Sequence, residues 1–146
     1  MVKNSFCMNF MSRSANEGFS RAVVSAFASQ LDPTIEEIND IKTAVSEAVT
    51  NCIVHAYGDT TGKIYISAEL NDDNTIKIKI RDKGKGIENV AKAMEPLFTT
   101  LGGERAGLGF AVMMSFMDSV KVRSTMGKGT SIIMVKKLRQ RFSVNG

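Results

Sequence analysis

"TIKIKIRDKGKGI" (residues 75–87) holds a strand and its termination in thirteen residues. Ile76, Ile78 and Ile80 alternate with Lys77, Lys79 and Arg81, the period of two expected of a strand with one covered and one wet face. Asp82 continues the parity of the isoleucines, so a carboxylate points to the covered side where the strand breaks into Gly84-Lys85-Gly86. That placement has two readings. Asp82 bonds its own backbone to finish a strand, or it is a buried acceptor awaiting a ligand's donor, with glycines letting backbone and ligand approach closely.

Upstream, Ile64, Ile66, Ala68 and Leu70 alternate and "NDDN" (71–74) turns, so residues 64–82 read as a hairpin. A helix of roughly 33–56 precedes it, with Ile35, Ile38, Ile41, Val45, Ala48, Val49 and Cys52 on one stripe. Asp32 is its expected N-cap and Pro33 its first helical residue. Ser14 and Glu17 have capping-box spacing at the start of an earlier helix ending near Gln30, and Phe6, Met8 and Phe10 alternate as a short first strand. Downstream come a short helix near 88–94 and a Gly-rich segment, "PLFTTLGGERAGLG" (96–109), too long for a mere connector and read as a lid. A helix "GFAVMMSFMD" follows, then a hairpin of Val120 and Val122 against a strand at 130–137. The order β-α-α-β-β-α-α-β-β predicts an α+β fold, a two-layer α/β sandwich in one domain over 1–146, its mixed, mainly antiparallel sheet carrying helices on one face.

Composition narrows the function classes. With 43% hydrophobic and 23% charged residues among 146, the chain has an ordinary globular balance, and no apolar run approaches the ~20 residues that span a bilayer. The N-terminus shows no signal-peptide pattern. Cys7 and Cys52 lie in apolar contexts without metal-ligand spacing and read as buried thiols of a reducing cytoplasm; His55 is the only histidine, which argues against a zinc site. The net charge of +4 comes from basic residues that are not interleaved with aromatics, a pattern poor for nucleic acid and suited to an acidic partner or a polyphosphate.

Four polar features stand apart from the core pattern. Glu47, Asn51 and His55 share the face of the 33–56 helix opposite its apolar stripe. A solvated face is the ordinary reading, but no Lys or Arg occurs between Thr43 and Gly62, so this face resembles the lining of a site that holds a cation or a water. The second feature is Asp82 with its glycines. Third, Arg105-Ala106-Gly107-Leu108-Gly109 opens a helix, where backbone N–H groups favour phosphate, although G-x-G also occurs in plain loops. Fourth, Gly127-Lys128-Gly129-Thr130 reads in isolation as a β-turn. No Walker A sequence and no H-R-D or D-F-G is present.

In this order the four features resemble the N, G1, G2 and G3 boxes of the superfamily of gyrase, heat-shock chaperone, histidine-kinase and mismatch-repair ATPases, whose shared architecture is the Bergerat-type ATP-binding fold. The match spans roughly residues 35–135. Within that superfamily, "SEAVTNCIVHAY", "RDKGKGI", "PLFTT" followed by Glu104-Arg105, "SRSANEGFSR" and "AFASQLDPT" resemble the anti-sigma serine kinases of spore-forming bacteria. The resemblance implies ATP or ADP with Mg²⁺, the metal ligated by Asn51, and Glu47 as the general base toward an attacking hydroxyl. It implies that Asp82 accepts the adenine amino group, that Gly84 and Gly86 pass beside the base, and that Thr130 supports the adenine pocket. Gly107 and Gly109 would cradle phosphates under a lid of about 97–106 that includes Thr99 and Thr100, with Arg105 near the γ-phosphate or the partner. Arg21 and Glu17 of the first helix would meet the protein partners, a sporulation sigma factor and the anti-anti-sigma protein whose serine is phosphorylated. The implied assembly is a homodimer with the first strand at its edge. The lid segment "LGG" departs from the family pattern in lacking a lysine. A histidine-kinase-like or other ATPase module of the same fold without serine kinase activity is the alternative; a histidine-kinase module follows a helical hairpin bearing a phosphoacceptor histidine, whereas this sequence opens on a strand and has its one histidine in the N box.

Overall fold

The computed structural model describes residues 1–94 and 105–139. Its strands are β1 (Val2–Met11), β2 (Lys63–Asn71), β3 (Thr75–Asp82), β4 (Ser119–Thr125) and β5 (Gly129–Lys137). They form one sheet in the order β1-β2-β3-β5-β4, every neighbouring pair antiparallel, so the parallel component expected of a mixed sheet is absent among the described strands. The register stacks the alternating apolar residues into continuous rows. Phe6, Ala68, Ile78, Met134 and Val120 align across all five strands, and Met8, Ile66, Ile80, Ile132 and Val122 form the next row. A one-residue slip at any strand would turn its whole apolar set to water, and this fixes the pairing.

Helices α1 (Ala15–Ala28), α2 (Ile35–Thr50), α3 (Val90–Ala93) and α4 (Arg105–Phe116) accompany the sheet. Val24, Phe27, Ile41, Val45, Ala48, Val49, Phe110 and Met113 join the isoleucine rows in one core. Phe6 packs edge-on against Phe27 at 4.7 Å, and Phe10 against Phe19 at 6.2 Å, tying β1 to α1. The sheet face carrying Lys77, Lys79 and Arg81 has no such cover.

Four sequence expectations change in detail. Ser14 stands at the N-cap of α1 without a side-chain bond, because its backbone is already helical, and Glu17 bonds Arg21 instead. Asp32 does not cap α2. It takes a left-handed conformation (φ 52°) after a short 3₁₀ turn, and Thr34 caps the helix in a reciprocal box with Glu37. Ile35 is thus the first helical residue, and it is 80% exposed rather than part of the buried stripe. Cys7 is exposed because its parity on β1 sends it to the uncovered face, whereas Cys52 is buried as expected.

The apolar helix continues past Thr50 as a π-helical segment, Asn51–Tyr57, ending where Gly58 N–H bonds Ile53 O. A wider turn of this kind shifts the following residues relative to an α-helix and is frequent at functional sites. Here it brings the Ala56 carbonyl to Lys85 N–H at 3.0 Å, joining the helix end to the glycine loop after β3.

Candidate functional site

The core places Asp82 at the end of β3, in the cross-strand row of Phe10 and Ile64, with only 5% of its surface exposed. Its Oδ1 accepts Gly84 N–H at 2.9 Å and Thr130 N–H at 3.2 Å, and the buried Cys52 thiol donates to the carboxylate. Burial pushes the Asp82 pKa up, while the Gly84, Cys52 and Thr130 donors pull it back down. Desolvation and the neighbouring Asp82 raise Cys52 well above the usual thiol range, so it serves as a neutral donor.

The glycine loop is shaped by what it touches. A Cβ on Gly84 would lie 2.3 Å from the Ala56 carbonyl, and one on Gly129 would lie 2.2 Å from the Asp82 carbonyl. Gly86 adopts φ 80°, and a side chain there would strike Thr125 O. Tyr57 braces the loop from behind. Its hydroxyl donates to Lys63 O and accepts Lys83 N–H at 2.8 Å. Thr130 Oγ1 lies 2.7 Å from Ser124 Oγ, which itself accepts Ile87 N–H, so the fourth glycine segment is stitched to the second.

One turn apart on α2 and its π-helical extension, Glu47 and Asn51 converge on α4. A Cβ on Gly109 would sit 3.1 Å from Asn51 Oδ1 and 3.3 Å from Glu47 Oε2. Gly109 lies one turn inside α4 rather than at its start, so its missing side chain lets the two helices approach over these polar groups. Asn51 Nδ2 is buried without a hydrogen-bond partner among the described residues. A buried amide left with unused bonding capacity costs stability unless a ligand or water completes it.

A cavity of about 750 Å³ runs between Asn51 and Asp82. Asn51 lies in its wall with Asp82 and Thr130, and Gly86, Ile87, Ala93 and Phe110 supply close and apolar surface. The volume falls in the range of small-molecule and cofactor sites. Lys85, Asn89, Lys92 and His55 also line it. Of these, Lys85 was legible only as the middle of a G-K-G turn, and the support from Cys52 only as its being the residue after Asn51. Thr99 and Thr100 lie outside the described residues, and Arg105 and Gly107 are described only as backbone at the start of α4. Arg21 and Glu17 stand apart from the cavity on α1. Arg21 bonds Glu17 Oε1 and Ser46 Oγ, each at 3.4 Å, linking α1 to the residue beside Glu47.

The model of the histidine kinase-like ATPase domain matches residues 12–136. An anti-sigma F factor from Caldanaerobacter subterraneus is 63% identical over 130 residues, covering 88% of this chain and 90% of the relative. That from Clostridium acetobutylicum is 53% identical over 138 residues, covering 94% and 96%. The chain belongs to the anti-sigma F factor family. Solved structures share the fold of this anti-sigma F factor family member. The RsbU and RsbW domains of a Mycobacterium tuberculosis protein superpose with a TM-score of 0.70 at 17% identity, over 95% of this chain and 34% of that one. A histidine kinase domain from Erythrobacter litoralis does so with 0.58 at 18% identity, over 84% and 61%. In this anti-sigma F factor family member, no described helix is long and apolar enough to cross a membrane.

Proposed function

We propose that this chain is an ATP-dependent anti-sigma factor, one domain that binds a sporulation sigma factor and transfers phosphate to a serine of its anti-anti-sigma antagonist. The observation that carries the reading is that Asn51, grouped with Glu47 against Gly109, lines the same cavity as the buried Asp82. The names of the relatives support the sigma factor as partner.

The residues fit a metal–nucleotide. Asn51 offers an amide oxygen beside an unpartnered buried Nδ2, with a carboxylate next to it and no side chain from Gly109 to fill the space. Mg²⁺ held there supplies charge neutralisation for the phosphates, the principal demand of phosphoryl transfer. Asp82 presents a fixed acceptor to the adenine amino group, and guanine, with an acceptor at that position, is disfavoured. Thr130, held by Ser124, keeps the adenine end closed. Glu47 orients the incoming serine hydroxyl and takes its proton on Oε2. Gly107 and the lid residues Thr99, Thr100 and Arg105 complete the phosphate end. Arg21 and Glu17 form the protein-docking surface, whose bond to Ser46 runs directly into the Glu47 turn. Two copies pair through the exposed edge of β1.

The test incubates the chain with labelled ATP, Mg²⁺ and an anti-anti-sigma protein. Phosphoserine on that protein is the expected product. Its absence, with sigma binding intact, would leave a binding module without transfer and sink the kinase assignment.

A further inference from the structure

The uncovered face of the sheet carries a second, separate feature. Its register aligns Tyr65, Arg81, Ser131 and Arg123 in one cross-strand row, and Ser67, Lys79, Ile133 and Lys121 in the next. Arg81 and Arg123 therefore flank the small Ser131 at two strand spacings, ~10 Å between backbones, with Lys79 and Lys121 ~7 Å further along. At the loop end of this array lies a groove of about 350 Å³ whose cations are Arg81, Lys83, Arg123 and Lys128. None of the four has a carboxylate partner among the described residues. Asp82 is in the groove wall, but its carboxylate is committed on the helix side to Gly84 and Thr130 N–H. Four cations without a carboxylate partner around one concavity repel one another and concentrate anions.

The chemistry of the lining selects among anions. Tyr65, the aromatic residue of this row, is already covered by Arg81 at 4.7 Å and Lys83 at 5.2 Å. No free ring remains there for bases to stack on, as single-stranded nucleic acid requires, and none to anchor a protein partner. The groove instead offers guanidinium forks, ammonium groups and the hydroxyls of Thr125 and Ser131, a set suited to phosphate oxygens. We infer that this groove is a second anion site, distinct from the nucleotide cavity, that binds a short chain of phosphates such as an oligophosphate.

Inorganic tripolyphosphate is the probe, titrated calorimetrically into the full chain at low and moderate salt. The Arg81→Ala/Arg123→Ala double variant is expected to lose about tenfold or more in affinity, with a shallower salt dependence. The titration is repeated with the nucleotide cavity saturated by ADP and Mg²⁺, and the probe is expected to bind as it does to the chain without nucleotide. Equal binding by the double variant, or loss of probe binding when the nucleotide cavity is filled, overturns the site. Duplex DNA and poly-glutamate are run alongside. Either one binding through Arg81 and Arg123 while tripolyphosphate does not would overturn the assignment to a phosphate chain.

Discussion

Asp82 meets two opposed demands in one carboxylate. Burial raises its pKa above the ordinary 3.8, while the Gly84, Cys52 and Thr130 donors hold the ionised form that a ligand's amino group needs. With the folded pKa raised, the contribution of Asp82 to stability is complete below the unfolded value and is lost as pH rises through the folded one. At neutral pH its charge therefore works against the fold. Asp82→Asn is expected to melt no lower than the unaltered chain at pH 7, yet to bind ATP about tenfold or more weakly and to lose preference over GTP. Melting curves and nucleotide titrations together check this; a fall in stability with unchanged selectivity would refute the proposed role. The partnership of Glu47 and Asn51 divides differently. Asn51→Ala is expected to abolish Mg-ATP binding, and Glu47→Ala to spare binding while transfer falls by about 10² or more. Equal loss of nucleotide affinity in both variants would contradict that division.

The elements owe their placement to a few local devices. The reciprocal box of Thr34 and Glu37 starts α2, and Glu37 also accepts Arg139 N–H at 2.8 Å, fastening the chain beyond β5 to the same helix end. Thr34→Ala is expected to cost about 1 kcal/mol in denaturant unfolding without changing nucleotide affinity. At the other end, the π-helical segment presses the Ala56 carbonyl against Gly84, leaving no room for a side chain. Gly84→Ala must displace backbone, so it is expected to lower both stability and ATP affinity, the second more, since the shift falls on the loop bonded to Asp82. Amphipathic periodicity foretold the helix at 33–56 but not its widened end, because a π turn changes hydrogen-bond register without changing which residue types are apolar. The Asp32-Pro33 signal for a cap was likewise displaced. Two caps compete there, and the box with Glu37 satisfies two backbone groups where a lone Asp satisfies one.

Across the whole molecule the antiparallel sheet separates two chemistries. One face holds the core and the cavity, the other an array of lysine and arginine over a thin layer of hydroxyls. β1 forms one edge of the sheet, and its half-buried Phe6, Met8 and Phe10 pack toward α1 rather than outward, so the proposed pairing with a second copy would run through the strand's own backbone. Sedimentation velocity is expected to show a dimer at micromolar concentration. A monomer at all concentrations would remove the proposed assembly.

The alternation of Ile76 to Asp82 determined by itself that a carboxylate enters the covered layer, since strand parity is a covalent property of the chain. The spacing of Glu47 and Asn51 determined that they share a helix face. What lay across from them was decided only by the tertiary structure. Gly109 meets them from a helix almost sixty residues further on, Cys52 and Thr130 close on Asp82 from two other elements, and Arg81 and Arg123 flank Ser131 through a crossover in strand order. Periodicity reports the direction of a side chain from its own backbone. The partner it finds depends on how distant segments pack, which is settled by burial of the whole apolar set at once.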